Sequence, residues 1–148
     1  MKYYKVILSA ILSAAVCSLS AQNPEFKEGV KYYNNKQYAL AHQNFQKMAD
    51  LGHPAAQYNM GVLYYNGLGV PQNYTEAVKW FRKAADQGNV YAMHAMGNCY
   101  CQGFPKNYTE AVKWWHKAAE KGYAPAQYKL GWCYCEGQGV SKEPKKGV

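Results

Sequence analysis

The sequence predicts an all-α chain: a right-handed α-solenoid of antiparallel helix pairs whose last unit is incomplete. Three observations predict it. The block NYTEAVKW recurs intact at Asn73–Trp80 and Asn107–Trp114, with matched flanks on both sides. Small and aromatic residues recur at helical spacing inside each copy, as with Ala56, Met60 and Tyr64. Asparagine and glycine stand where helices should start and stop. One helix pair cannot bury its apolar stripe alone, so neighbouring pairs must stack.

Residues 1–21 read as an export segment outside this fold. A basic start, MKYYK, precedes the apolar VILSAILSAAVCSL, and the small residues SLSA follow before Gln22. This is the three-part layout of a signal peptide, with cleavage expected after Ala21 and Ser20 as the alternative. Lipidation of Cys17 is disfavoured, because the bulky Val16 precedes it. No later apolar run approaches the ~18 residues that a membrane helix needs. The mature chain is therefore expected to be periplasmic or secreted. Lys2, Lys5 and Cys17 leave with the segment, which lowers the formal charge of +8 by two and leaves an even set of cysteines.

Four segments follow: a divergent helix pair over 22–52, full units over 53–89 and 90–123, and a partial unit with a basic tail over 124–148. In the clearest unit the first helix is expected from about Ala56 to Tyr65. Gly67 and Gly69 give the backbone freedom for a wide turn that ends at Val70–Pro71. Asn73 is a helix N-cap with Glu76 three residues on, a capping-box arrangement that Asn107 and Glu110 repeat. The second helix carries Ala77, Trp80, Phe81, Ala84 and Ala85 and stops at Gly88, a left-handed C-cap. Ala56, Gly61, Ala77 and Ala84 allow close helix approach, while Tyr64 and Trp80 fill the remaining volume. In the final unit Gly147 stands where a packing alanine belongs, so the helix beginning near Pro125 either caps the array or ends a shortened member of a longer family. An apolar face left at that end would let two chains pair as a homodimer.

Written as AxxxxGxxYxxGxGVxxxxxxAxxWxxxAAxxG, these positions resemble the Sel-1-like repeat, a relative of the tetratricopeptide repeat. The resemblance is close over 53–140 and looser over 25–52, where the shorter unit is more tetratricopeptide-like. GFPKN, at 103–107, departs from the two-glycine turn. The resemblance implies a non-catalytic adaptor or scaffold of the bacterial envelope or secreted space, holding a protein or peptide partner on its concave face without a cofactor. A cysteine-rich secreted branch of the family implies the runner-up, a β-lactam-binding or weakly β-lactamase-like protein. That branch's paired cysteines correspond here to Ala85 and Ala119, and no SxxK, HxHxD or HExxH spacing occurs. Ser141 is the sole serine beyond the export segment. The catalytic residues for that chemistry are therefore not visible, and no catalytic group is assigned.

Cys99, Cys101, Cys133 and Cys135 form two CYC triplets in equivalent places. In an oxidising compartment an even set favours disulfides. Pairing within a triplet is disfavoured, because residues two apart on a helix point ~200° apart. Equivalent pairing of Cys99 with Cys133 would need two side chains pointing the same way to meet. A crossed pair fits best, either Cys101–Cys133 or Cys99–Cys135. Zinc is disfavoured, because CxC on a helix splays the ligands, and no metal is assigned. His42, His53, His94 and His116 are scattered, and His94 replaces Tyr58 and Tyr128 in register as a packing variant. Tyr58, Tyr65 and Tyr128 are the expected exposed aromatics on the first helices, which suits peptide recognition. Lys79, Lys83, Lys113 and Lys117 recur on the second helices as a solvated face. No basic-aromatic groove points to nucleic acid.

Overall fold

The computed structural model describes residues 22–103 and 106–140; the expected export segment and the Lys142–Val148 tail lie outside them. The described residues form helices and turns without strands: α1 (Pro24–Asn34), α2 (Tyr38–Asp50), α3 (Pro54–Asn66), α4 (Tyr74–Asp86), α5 (Val90–Gln102), α6 (Tyr108–Glu120) and α7 (Ala124–Glu136). Each helix packs chiefly on its neighbours in sequence, the wiring of an α-solenoid. None is long and apolar enough to cross a membrane.

Local chemistry sets the helix ends. The Asn73 side chain accepts a hydrogen bond from the Glu76 N–H at 3.1 Å, and Asn107 accepts from Glu110 at 3.0 Å. The reciprocal half of the expected capping box is not made. The Asn73 N–H donates instead to the Tyr64 carbonyl, and the Asn107 N–H to the Tyr100 carbonyl, each at 2.9 Å. These bonds tie the start of each second helix to the end of the first, so Glu76 and Glu110 turn outward to Lys79 and Lys113 at 2.6 Å.

The second helices end in a repeated motif. The Gly88 N–H donates to the Ala85 carbonyl and the Asn89 N–H to the Ala84 carbonyl, which is a Schellman pair around a glycine at φ 90. Gly52 and Gly122 close α2 and α6 with the same pair of bonds. In the shorter first unit this pattern closes the first helix, α1, as well: the Lys36 N–H donates to the Tyr33 carbonyl and the Gln37 N–H to the Tyr32 carbonyl. The left-handed residue there is Lys36, at φ 59.

Packing within a unit relies on one contact. A β-carbon on Gly29, Gly61 or Gly97 would collide with the ring of Phe45, Phe81 or Trp115, respectively. Each first helix thus offers bare backbone to an aromatic ring of its second helix. Phe45, Phe81 and Trp115 are all buried, and truncating such a ring to alanine typically costs about 3–5 kcal/mol. Gly131 of α7 is the equivalent position, but nothing lies within 4 Å of a β-carbon there. Trp132 and Tyr134 beside it are 40% and 38% exposed. Among the described residues, α7 packs chiefly on α6, and this face stays uncovered.

Candidate functional site

The first helices of successive units lie side by side, and their side chains meet across the junction. Between α3 and α5 they enclose a cavity of about 200 Å³. Tyr58, Val62, Tyr65 and Asn66 come from α3, and Tyr91, His94, Ala95 and Asn98 from α5. Phe81 of α4 and Tyr123, at the N-cap of α7, complete the lining. The repeat explains the composition: the second helices supply the floor, while variable positions of the first helices supply the walls.

Aromatic rings run along this wall in a chain of contacts. Tyr58 lies 5.7 Å from Phe81 and 6.0 Å from Tyr91 between ring centres. Tyr91 meets Tyr123 edge-on at 5.5 Å, and His94 meets Tyr123 at 5.3 Å. Such tilted and edge-on pairs satisfy the ring quadrupoles and hold the rings in place. Burial raises the Tyr58 phenol above its ordinary value, and Tyr123, Tyr33 and Tyr91 add to the effect. The Tyr58 hydroxyl therefore remains a protonated donor at neutral pH. Burial, followed by Lys129, lowers the His94 imidazole, so it is held neutral. Its Nε2 is buried and has no hydrogen-bond partner among the described residues.

No carboxylate, lysine or arginine lines the cavity, so its chemistry is that of a neutral aromatic pocket with a polar rim. Of the tyrosines expected to be exposed, Tyr128 stands 75% exposed on α7. Tyr58 and Tyr65 are half-buried because the next unit packs over them: Tyr58 against Tyr91, and Tyr65 donating its hydroxyl to Gln102 Oε1. The structure brings Tyr58 and Tyr65 into one pocket, while Tyr128 occupies the equivalent position on the last described helix. Sequence reasoning missed Tyr91, Tyr123 and Asn98. The signal was weak, since these residues stand outside the shared repeat pattern.

The cysteines divide by environment. Cys99 and Cys133 are buried, Cys101 is half-buried and Cys135 is exposed, all as free thiols. Burial pushes the Cys99 thiol up to about 12. No three His, Cys, Asp or Glu side chains stand together as a metal cluster among the described residues. His116 lies outside the pocket, where its Nδ1 faces Glu120 at 3.2 Å. His42 packs edge-on against Tyr64 at 5.9 Å. Ser141 falls outside the described residues.

The other face is basic. Lys83 lies over the Trp80 ring at 4.1 Å and Lys117 over Trp114 at 4.3 Å. Lys79 and Lys113 are held by their glutamates. These lysine contacts cover the apolar surface of the second helices with solvated charge.

Comparison with known proteins gives a consistent picture. The Sel1 repeat family model matches residues 26–53, 54–89, 90–123 and 124–148. A Sel1 repeat protein from Oxalobacter formigenes superposes with a TM-score of 0.73 at 39% identity, over 80% of this chain and 49% of that one. A protective antigen present in uropathogenic Escherichia coli strains, displaying an SLR fold, gives 0.74 at 37% identity, over 80% of this chain and 27% of that one. An ERAD-associated E3 ubiquitin-protein ligase component of Arabidopsis thaliana is 37% identical over 62 residues, 41% of this chain and 9% of that protein. Chitin synthase regulatory factor 2 of Schizosaccharomyces pombe is 38% identical over 63 residues, 43% of this chain and 12% of that protein. The chain thus spans about a tenth of the length of these two curated relatives.

Proposed function

Because the chain belongs to the Sel1 repeat family, we propose that it is a protein–protein interaction module that grips a partner's peptide segment in the pocket between α3 and α5. One observation carries the reading: a cavity walled by Tyr58, Tyr91 and Tyr123 holds a buried His94 nitrogen without a partner and carries no charge. Such a pocket fits a neutral, apolar side chain flanked by backbone amides. The rings supply contact area at low entropy cost, and the phenols, Asn66, Asn98 and His94 supply hydrogen bonds to the chain. The relatives named as a ligase component and as a synthase regulatory factor support an adaptor role that works through partners rather than through chemistry of its own. We place this pocket on the concave side of the solenoid. The basic start and apolar stretch within residues 1–21 support an exported protein of the envelope or the secreted space, with removal near Ala21. The uncovered α7 face supports pairing of two copies, and a sedimentation coefficient that stays monomeric at all concentrations would remove that part.

The test is selection from a random peptide display library on the full chain, followed by affinity measurement. Enriched peptides should share a neutral apolar or aromatic anchor. Tyr58→Ala and Tyr91→Ala should weaken them about tenfold or more, whereas Lys79→Glu and Lys113→Glu should leave them unchanged. Enrichment of acidic peptides whose binding is lost only with the lysine variants would reject the pocket reading.

A further inference from the structure

We propose that Cys101 and Cys133 form a disulfide that ties α5 to α7 across the junction between successive units. The repeat register places these two residues together. Tyr65, Cys101 and Cys135 are equivalent positions of α3, α5 and α7, and Leu63, Cys99 and Cys133 are likewise equivalent. At the preceding junction Tyr65 reaches forward from α3: its hydroxyl donates to Gln102 of α5, and its phenol is raised by burial, then by Cys99, with smaller contributions from Tyr74 and Cys101. One unit along, the same relation joins Cys101 to Cys133. The packing agrees, since Cys101 is half-buried against the core cluster that contains Cys133. The electrostatics agree as well. Burial raises the Cys133 thiol, the Cys101 sulfur raises it further, and Lys129 lowers it, which is consistent with Cys101 on the side of α5 that faces α7.

The alternative crossed pair fails on direction. Cys135 occupies the forward-reaching position of the last described helix, so it points away from α5 and is exposed. Cys99 is enclosed, with Tyr65 of the preceding unit rather than a thiol beside it.

The bond forms by thiol–disulfide exchange with a small disulfide such as glutathione disulfide. The half-buried Cys101 attacks first as its thiolate, forming a mixed disulfide and releasing one glutathione thiolate. Cys133 then gives up its proton and attacks Cys101 Sγ, expelling the second glutathione. The two cysteine sulfurs lose two electrons to the reagent, and their two protons end on the two glutathione thiols. The product fastens α7, which otherwise packs chiefly on α6.

The full chain would be equilibrated with oxidised glutathione, alkylated while folded and digested with chymotrypsin, which cuts after Tyr100 and Tyr134 and so separates the members of each triplet. Mass spectrometry should find the Cys101 peptide linked to the Cys133 peptide, with Cys99 and Cys135 outside the link. Adding a reductant should lower the thermal midpoint by about 10 °C. The Cys99→Ser/Cys135→Ser double variant should retain both the link and the shift, and Cys101→Ser should lose both. Alkylation of Cys101 and Cys133 as free thiols in the oxidised, folded wild type would overturn the proposal, as would a link between any other pair. Because the mapping uses the wild type, it stands even where a variant fails to fold.

Discussion

The Trp115 indole lies so close over Gly97 that a β-carbon on that glycine would fall inside van der Waals contact with the ring. The same contact joins Gly61 to Phe81, and it is missing only at Gly131, where the space is open. One substitution should therefore act in opposite ways along the array. Gly97→Ala and Gly61→Ala should destabilise by about 1–3 kcal/mol through forced displacement of the ring. Gly131→Ala should stabilise by up to ~1 kcal/mol through helix propensity. Urea unfolding of the three variants beside the wild type checks both signs.

Lys36 is the only non-glycine residue with a positive φ among those described. It stands where a Schellman ending favours glycine, and it is exposed, so its side chain contributes little packing to offset the left-handed backbone. Lys36→Gly should raise stability by roughly 1 kcal/mol, read as a thermal midpoint higher by a few degrees. A midpoint that fell would mean that the lysine makes a contact of its own.

Burial lowers the imidazoles of His42 and His94 below their ordinary value of 6.5. The folded state then binds fewer protons than the unfolded chain in the window just below 6.5. The stability held by neutral histidine is complete above that value and drains away as pH falls through it toward the folded values. The urea midpoint should drop between about pH 7.5 and about pH 5.5. His94→Tyr, which restores the residue found at Tyr58 and Tyr128, should flatten that slope. An unchanged slope in this variant would place the proton uptake elsewhere.

Thiol reactivity should follow burial. At about pH 8, iodoacetamide should modify the exposed Cys135 first in the reduced protein, and Cys99, whose thiol is pushed up to about 12, at least ~100-fold more slowly. Time-resolved mass spectrometry reads the order. Rapid labelling of Cys99 would show that α5 opens at its C-terminal end.

The solenoid was legible because its signals are local. Asn73 and Asn107 cap the helices that their positions announce, and Gly88 takes the left-handed conformation that ends α4. The capping box was misread because Glu76 was weighed against its own helix alone. The Asn73 N–H is already engaged by Tyr64 of the preceding helix, a tertiary bond to which no spacing rule points. The pocket was only half legible for a related reason. Tyr58 and Tyr65 stand out within one unit, but their partners Tyr91 and Tyr123 belong to later units and occupy positions that the repeat leaves free. A wall shared between units is invisible when each unit is read by itself.

Gly52, Gly88 and Gly122 all close their helices with the same two backbone bonds, and a β-carbon at any of them would meet nothing within 4 Å. These junctions are therefore interchangeable couplings. Excising or duplicating the stretch from one of these glycines to the next would rejoin the chain at a coupling of unchanged shape. Array length can then drift by whole units through recombination, while residues inside a unit diverge on their own, as His94 has from Tyr58 and the CYC triplets have from Leu63–Tyr65. The aromatic wall between first helices can thus change one cassette at a time.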